Sequence, residues 1–118
     1  MTFNAVLIRL FLAFALSATS GTLSAQIMID PEEAFKVART TQKPVLLIFS
    51  GSDWCVPCIR FDREILADST FLRYAKGHII LLKADFPQRS KVSPPLKSAY
   101  EKLADQFNKE GTFPKLIL

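Results

Sequence analysis

The chain has 118 residues, 49% of them hydrophobic, with 15 Lys and Arg against 11 Asp and Glu and a formal net charge of +4. The charges are interspersed and form no basic run, which gives nucleic-acid binding no support and describes an ordinary solvated surface. One His and two Cys fall short of the four ligands of a structural zinc site, and neither an internal repeat nor a low-complexity linker interrupts the chain.

The N-terminus has the layout of an export signal over residues 1–25. Arg9 is the only charge there, Leu10 to Leu16 form a short apolar core, and Leu23-Ser24-Ala25 ends in a small residue before Gln26. The competing reading is an N-terminal membrane anchor. The apolar stretch from Ala5 to Ala18 is broken by Arg9 and is shorter than the ~20 residues of a spanning helix, which favours cleavage. No Cys follows the apolar core, so lipid attachment there is excluded. The expected location is periplasmic or otherwise exported, where a disulfide persists. Cleavage leaves residues 26–118, enough for one small domain.

Asp30-Pro31-Glu32-Glu33 starts a helix: Asp30 can cap it, Pro31 suits its first position, and the two acids favour its positive end. Ala34, Phe35, Val37 and Ala38 supply its apolar face, and it ends near Thr41 because Lys43 precedes Pro44. Val45 to Phe49 is an apolar run without alternation, hence a strand buried on both faces. Ser50-Gly51-Ser52-Asp53 turns into a second helix, running to about Asp68, with Asp53 as its expected cap. A shorter helix, Ser69 to Lys76, presents Phe71, Leu72 and Ala75 inward and is expected to break at Gly77. His78 to Ala84 is a second buried strand with His78 at its edge, a surface residue rather than a catalyst because no acid or nucleophile flanks it.

Asp85 to Pro95 is a loop rich in Pro, Ser and basic residues. Leu96, Ala99, Tyr100, Leu103 and Phe107 repeat at spacings of three and four, which predicts a helix from Leu96 to Asn108. Gly111 ends it, and Thr112-Phe113-Pro114 leads into a third strand, Lys115 to Leu118. Alternating helices and strands predict an α/β fold, a central sheet with helices on both faces.

The chemistry concentrates in Trp54-Cys55-Val56-Pro57-Cys58, which holds both cysteines at a strand-to-helix junction. Residues three apart share a helix face, so the two sulfurs can meet. If Cys55 opens the helix, its sulfur faces unpaired N–H groups and the positive end of the dipole, which favours the reactive thiolate. Cys58, one turn inside, is the shielded partner. A purely structural disulfide remains open as an alternative, but so short a loop stabilises little.

These residues resemble the thioredoxin superfamily. The resemblance spans about Asp30 to Leu118. It rests on the hydrophobic strand into Trp54-Cys55-x-x-Cys58, the strand–helix order, and Phe113-Pro114 before a strand, which is similar to the family's cis-proline loop. Ser50 to Cys55 and Lys83-Ala84-Asp85-Phe86-Pro87 are closer still to exported bacterial thioredoxin-like proteins, relatives of the C-terminal periplasmic domain of the transmembrane electron-transfer reductase. The resemblance implies a three-layer fold with a mixed sheet, and a thiol–disulfide oxidoreductase with Cys55 as nucleophile and Cys58 as resolving thiol. It implies an apolar substrate-docking rim of Trp54, Val56, Pro57, Phe113 and Pro114, with Pro114 cis and beside the pair. No metal or organic cofactor is implied. The implied partners are protein thiols and disulfides, with a membrane electron-donor protein to keep the pair reduced.

Two departures qualify it. The family's buried acid, six residues before the first cysteine, is replaced by Phe49. Asp62, four residues after Cys58, is on the same helical face and is the candidate replacement as proton relay; its alternative is a solvated acid pairing with Arg60 or Arg63. The family pattern also continues past the cis-proline strand with another strand and a helix, so the domain reads as C-terminally incomplete. Both departures keep a second class open: a non-catalytic thioredoxin-like module that binds a partner or a metal.

Overall fold

A computed structural model describes residues 25–118. The export-signal reading lies, apart from Ala25, outside the described residues. Among those described, no helix is long and apolar enough to cross a membrane.

The elements in chain order are β1 (Ile27–Met28), α1 (Pro31–Thr41), β2 (Val45–Ser50), α2 (Val56–Phe61) running into a π-helical turn (Asp62–Leu66), α3 (Ser69–His78), β3 (Ile80–Asp85), α4 (Pro94–Phe107) and β4 (Lys115–Ile117). The sheet order is β1-β3-β2-β4, with β1 and β2 parallel to β3 and β4 antiparallel to β2, the expected mixed sheet.

Local chemistry accounts for most boundaries. The Asp30 carboxylate accepts from the N–H groups of Glu32 (2.9 Å) and Glu33 (3.3 Å), and Pro31 occupies the first turn. Gln42 ends α1 in the left-handed region at φ 55°, before the Pro44 that forbids continuation. β2 is buried from Leu47 to Ser50, as a strand covered on both faces should be. Its alternate residues Leu47 and Phe49 join Leu82 and Ala84 of β3 in one core with Ala34 of α1 and Tyr100 and Leu103 of α4. Ile48 and Leu81 point to the opposite face, which α2, the π turn and α3 cover with Cys58, Leu66 and Ala75.

The structure corrects several expectations. β1 is an additional strand, two residues long and paired to Leu81 and Leu82. Gly77 does not break α3. The helix runs through it to His78, and nothing lies within 4 Å of where a Cβ on Gly77 would be, so the position is simply an exposed helical glycine costing about 1 kcal/mol relative to Ala. His78 is therefore in the last turn of α3 rather than at a strand edge, stacked on Tyr74 with ring centroids 4.1 Å apart. Phe107 is exposed. The buried residue at the end of α4 is Asn108, whose side chain bonds both the N–H and the carbonyl of Thr112. That ring, with Gly111 at φ 66°, shapes the turn that delivers Phe113 to the sheet.

Candidate active site at the Cys55–Cys58 turn

β2 ends at Ser50, and the chain makes one tight turn before α2. The N–H groups of Trp54 and Cys55 donate to the Gly51 carbonyl, at 3.3 and 2.9 Å. Gly51 is required there: an added Cβ would lie 2.4 Å from the Trp54 indole, which is itself anchored by its Nε1 donating to the Phe86 carbonyl at 2.7 Å.

Cys55 is the N-cap of α2. Its Sγ accepts from the Cys58 N–H at 3.3 Å, and its carbonyl accepts from Ile59. The two cysteines are joined in a disulfide with Cα atoms 5.2 Å apart. The expected difference in access is small in this oxidised form, because Cys55 and Cys58 are 5% and 1% exposed. The turn between them is open: Val56 and Pro57 are exposed and Trp54 is 37% exposed.

Phe113 and Pro114 lead into the edge strand β4, which pairs with β2. Their peptide bond is cis. β4 pairs with β2 through Phe49 and Lys115, so Pro114 follows the register toward Ser50 and the cysteine turn. The Phe113 ring meets Trp54 edge-on at 5.5 Å and continues through Phe86 at 5.6 Å to Tyr100 at 6.2 Å from Phe86. Of the predicted rim residues, Trp54 and Phe113 are brought into contact, in an aromatic run with Phe86 and Tyr100 that the sequence did not disclose.

Asp53 does not cap the helix. Its carboxylate reaches across to the loop after β3 and accepts from the N–H groups of Gln88 (2.8 Å), Arg89 (2.7 Å) and Ser90 (2.9 Å). Ser52 makes a second bridge, its N–H and hydroxyl donating to the two oxygens of Asp85 at 2.9 and 2.5 Å. The backbone donors, Gln88 first, hold Asp53 below its ordinary carboxylate value of 3.8. A carboxyl whose pKa is lower folded than unfolded stabilises the fold above the unfolded value and stops doing so as pH falls through the folded one. The stability difference between wild type and Asp53→Asn is therefore expected to be full at pH 6 and to shrink steadily below pH ~4. Chemical denaturation at several pH values checks this, and a pH-independent difference would show that the clasp does not carry the shift.

Asp62 opens the π turn, and its N–H donates to the carbonyls of Cys58 and Ile59. Its partner is neither Arg60 nor Arg63 but Lys83 of β3, whose Nζ donates to Oδ2 at 2.5 Å with both side chains half-buried. Oδ1 is buried and bonds to no protein group, as is Ser50 Oγ. Lys83 was missed at the sequence level, although a lone Lys in the apolar run Ile79-Ile80-Leu81-Leu82-Lys83-Ala84 was the available signal. Among the described residues no group of three or more His, Cys, Asp or Glu side chains could hold a metal ion.

Comparison with known proteins bears on this geometry. A family described as thioredoxin-like matches residues 26–117. The chain is 34% identical over 85 residues to the Chlamydia pneumoniae protein named disulfide bond reductase DsbH, covering 72% of this chain and 51% of that protein. It is 31% identical over 58 residues to the thioredoxin-related protein DsbJ of Chlamydia pneumoniae, covering 49% of this chain and 17% of that one. A solved structure named DsbH oxidoreductase superposes with a TM-score of 0.71 at 31% identity, covering 86% of this chain and 70% of the other. The chain thus spans about half the length of the first of these relatives and about a sixth of the second. A disulfide whose Cys55 caps a helix, a cis Phe113-Pro114 bond at the entry to the strand paired with β2, and a match over nearly all described residues lead to one assignment: the chain belongs to the thioredoxin-like family.

Proposed function

We propose that the protein is an exported thiol–disulfide oxidoreductase that reduces disulfides of protein substrates through Cys55 and Cys58. The observation that carries this is the position of Cys55 Sγ at the N-cap of α2, accepting from the Cys58 N–H, a setting that stabilises a thiolate once the pair is reduced. The name of the relative that matches most of the chain, a disulfide bond reductase, supports the direction of transfer. The Cys55 thiolate attacks one sulfur of the substrate disulfide, forming a mixed disulfide and releasing one substrate thiolate. Cys58 then loses its proton and attacks Cys55 Sγ, which releases the second substrate thiol. Two electrons have passed to the substrate, and the pair is left oxidised, as the structure holds it. An exported electron donor of dithiol chemistry, presented at the membrane, is the proposed source of the next two electrons. Trp54, Val56, Pro57, Phe113 and Pro114 are the proposed docking rim.

Cys58→Ser tests the reading. Mixed with a protein carrying an accessible disulfide, the reduced variant should accumulate a covalent adduct through Cys55, seen as a reductant-sensitive band mapped by mass spectrometry. Absence of adduct together with absence of turnover by the wild-type protein would rule the reading out.

Asp62 is proposed to take the Cys58 proton. Its free, buried Oδ1 offers an acceptor on the turn that follows Cys58, and Lys83 holds the carboxylate in place. Asp62→Asn is expected to slow resolution of the mixed disulfide and shift its pH profile. It should also cost about 1 kcal/mol of stability, more than an ordinary surface change, because Lys83 loses its partner. Unchanged resolution kinetics across pH would leave the ion pair a purely structural feature.

A further inference from the structure

A groove of about 480 Å³ opens between the loop after β3 and the start of α4, beside the cysteine turn but outside it. Its apolar lining includes Phe86, Val92, Pro94 and Tyr100, and Lys91 and Lys97 stand along it. We propose that this groove is a docking site for an extended acidic segment of the client protein, gripped by an apolar side chain on the aromatic floor and by carboxylates on Lys91 and Lys97. The proposal rests on the redox reading above and names the substrate class for it.

Three observations carry it. The first is charge. Lys91 and Lys97 make no ion pair among the described residues, and Glu101, one turn along α4 from Lys97, is not within 4 Å of its ammonium. The acid lining the groove, Asp85, accepts from Ser52 through both oxygens and pairs with neither lysine, so two cations face one acid in the lining, and Arg89 adds a third cation in the same loop. The second is continuity. The half-buried floor residue Phe86, packed against the buried Tyr100, is the next ring after Trp54 and Phe113, so the groove adjoins the rim of the cysteine turn. The third is rigidity. The loop that forms one wall is fixed to the turn before Cys55 by the Asp53 clasp and the Trp54 bond to Phe86, so the groove keeps a constant offset from the reacting sulfur. Docking there would hold a client disulfide near Cys55 at little further ordering cost.

Binding is measured without turnover by titrating the isotope-labelled, oxidised protein with two acetylated, amidated peptides and following amide shifts by NMR. One peptide carries glutamates on either side of a leucine, and the other has glutamines in their place. The acidic peptide should shift amides of residues 86–97 and bind about fivefold more tightly at low salt, as expected for two exposed ion pairs. Lys91→Gln with Lys97→Gln should remove that preference. Lys36→Gln with Lys109→Gln, the same charge change at exposed positions that do not line the groove, should keep it. Equal affinity for the two peptides, a preference that survives Lys91→Gln with Lys97→Gln, or shifts confined elsewhere would overturn the proposal. So would shifts in these residues with anionic phosphatidylglycerol vesicles and none with peptide, which would assign the lysines to a lipid surface. A protein that binds the acidic peptide in the groove but reduces no disulfide would fail the redox reading alone. One that reduces disulfides but binds neither peptide would fail the groove alone.

Discussion

Cys55→Ser is expected to lower the rate of protein-disulfide reduction by roughly a thousandfold or more, since a serine hydroxyl at the same N-cap does not ionise near neutral pH and cannot act as the sulfur nucleophile. The fold should be little changed. The lost bond closes a loop of sequence separation 3, too short to restrict the unfolded chain much, and serine is itself a favoured N-cap. Loss of rate and retention of stability must therefore appear together. A single-turnover assay on the reduced protein, paired with denaturant unfolding, reads both. Retained turnover at even a tenth of the wild-type rate would transfer the nucleophile's role to Cys58. Collapse of the fold would instead make the pair structural, the alternative that its short spacing argues against.

Phe49→Ala is expected to cost about 3–5 kcal/mol, the range for deleting a large aromatic side chain from a core. Phe49 is completely buried within the cluster formed by β2, β3, α1 and α4, and its ring stacks on Phe86 at 6.4 Å. A small domain has about 5–15 kcal/mol in total, so the variant would be marginal and its melting temperature would fall steeply. The midpoint of urea unfolding should drop with little change in slope. A cost under about 1.5 kcal/mol would mean that neighbouring side chains refill the space. The variant also bears on the redox site, because Phe86 receives the Trp54 indole through its carbonyl and lies under Phe113. Where thioredoxins place a buried acid, this chain has a packing residue that supports the rim from below.

The legible parts of this molecule were those whose cause is local. Asp30 and Pro31 declared the start of α1, the unbroken apolar run declared β2, and Cys55 at a strand-to-helix junction declared the site. Family resemblance, not periodicity, supplied the cis Phe113-Pro114 bond. The parts that escaped depend on residues distant in the chain. β1 has two residues and exists only because β3 offers it an edge, so no period could announce it. Asp53 looked like a helix cap because the donors it actually meets, at Gln88 to Ser90, lie more than thirty positions away. Asp62 is singled out by its spacing from Cys58, but its partner on β3 becomes visible only once the helix is laid on the sheet. Gly77 misled for the opposite reason: its local cost is real but small, and an exposed helix already committed by its Asp68 cap absorbs it.

The clasp between the two loops also decides how far the redox motif can travel. A peptide copied from Ser50 to Asp62 would contain both cysteines, the tryptophan and the acid. It would leave behind the amides that hold Asp53, the carboxylate that holds Ser52, the carbonyl that orients the indole, and the lysine opposite Asp62. All four come from one stretch, Lys83 to Ser90, which the peptide lacks. The working unit is therefore two segments separated in the chain and joined in space. Transplanting this chemistry to another scaffold means moving both segments, along with the parallel strands that keep them in register.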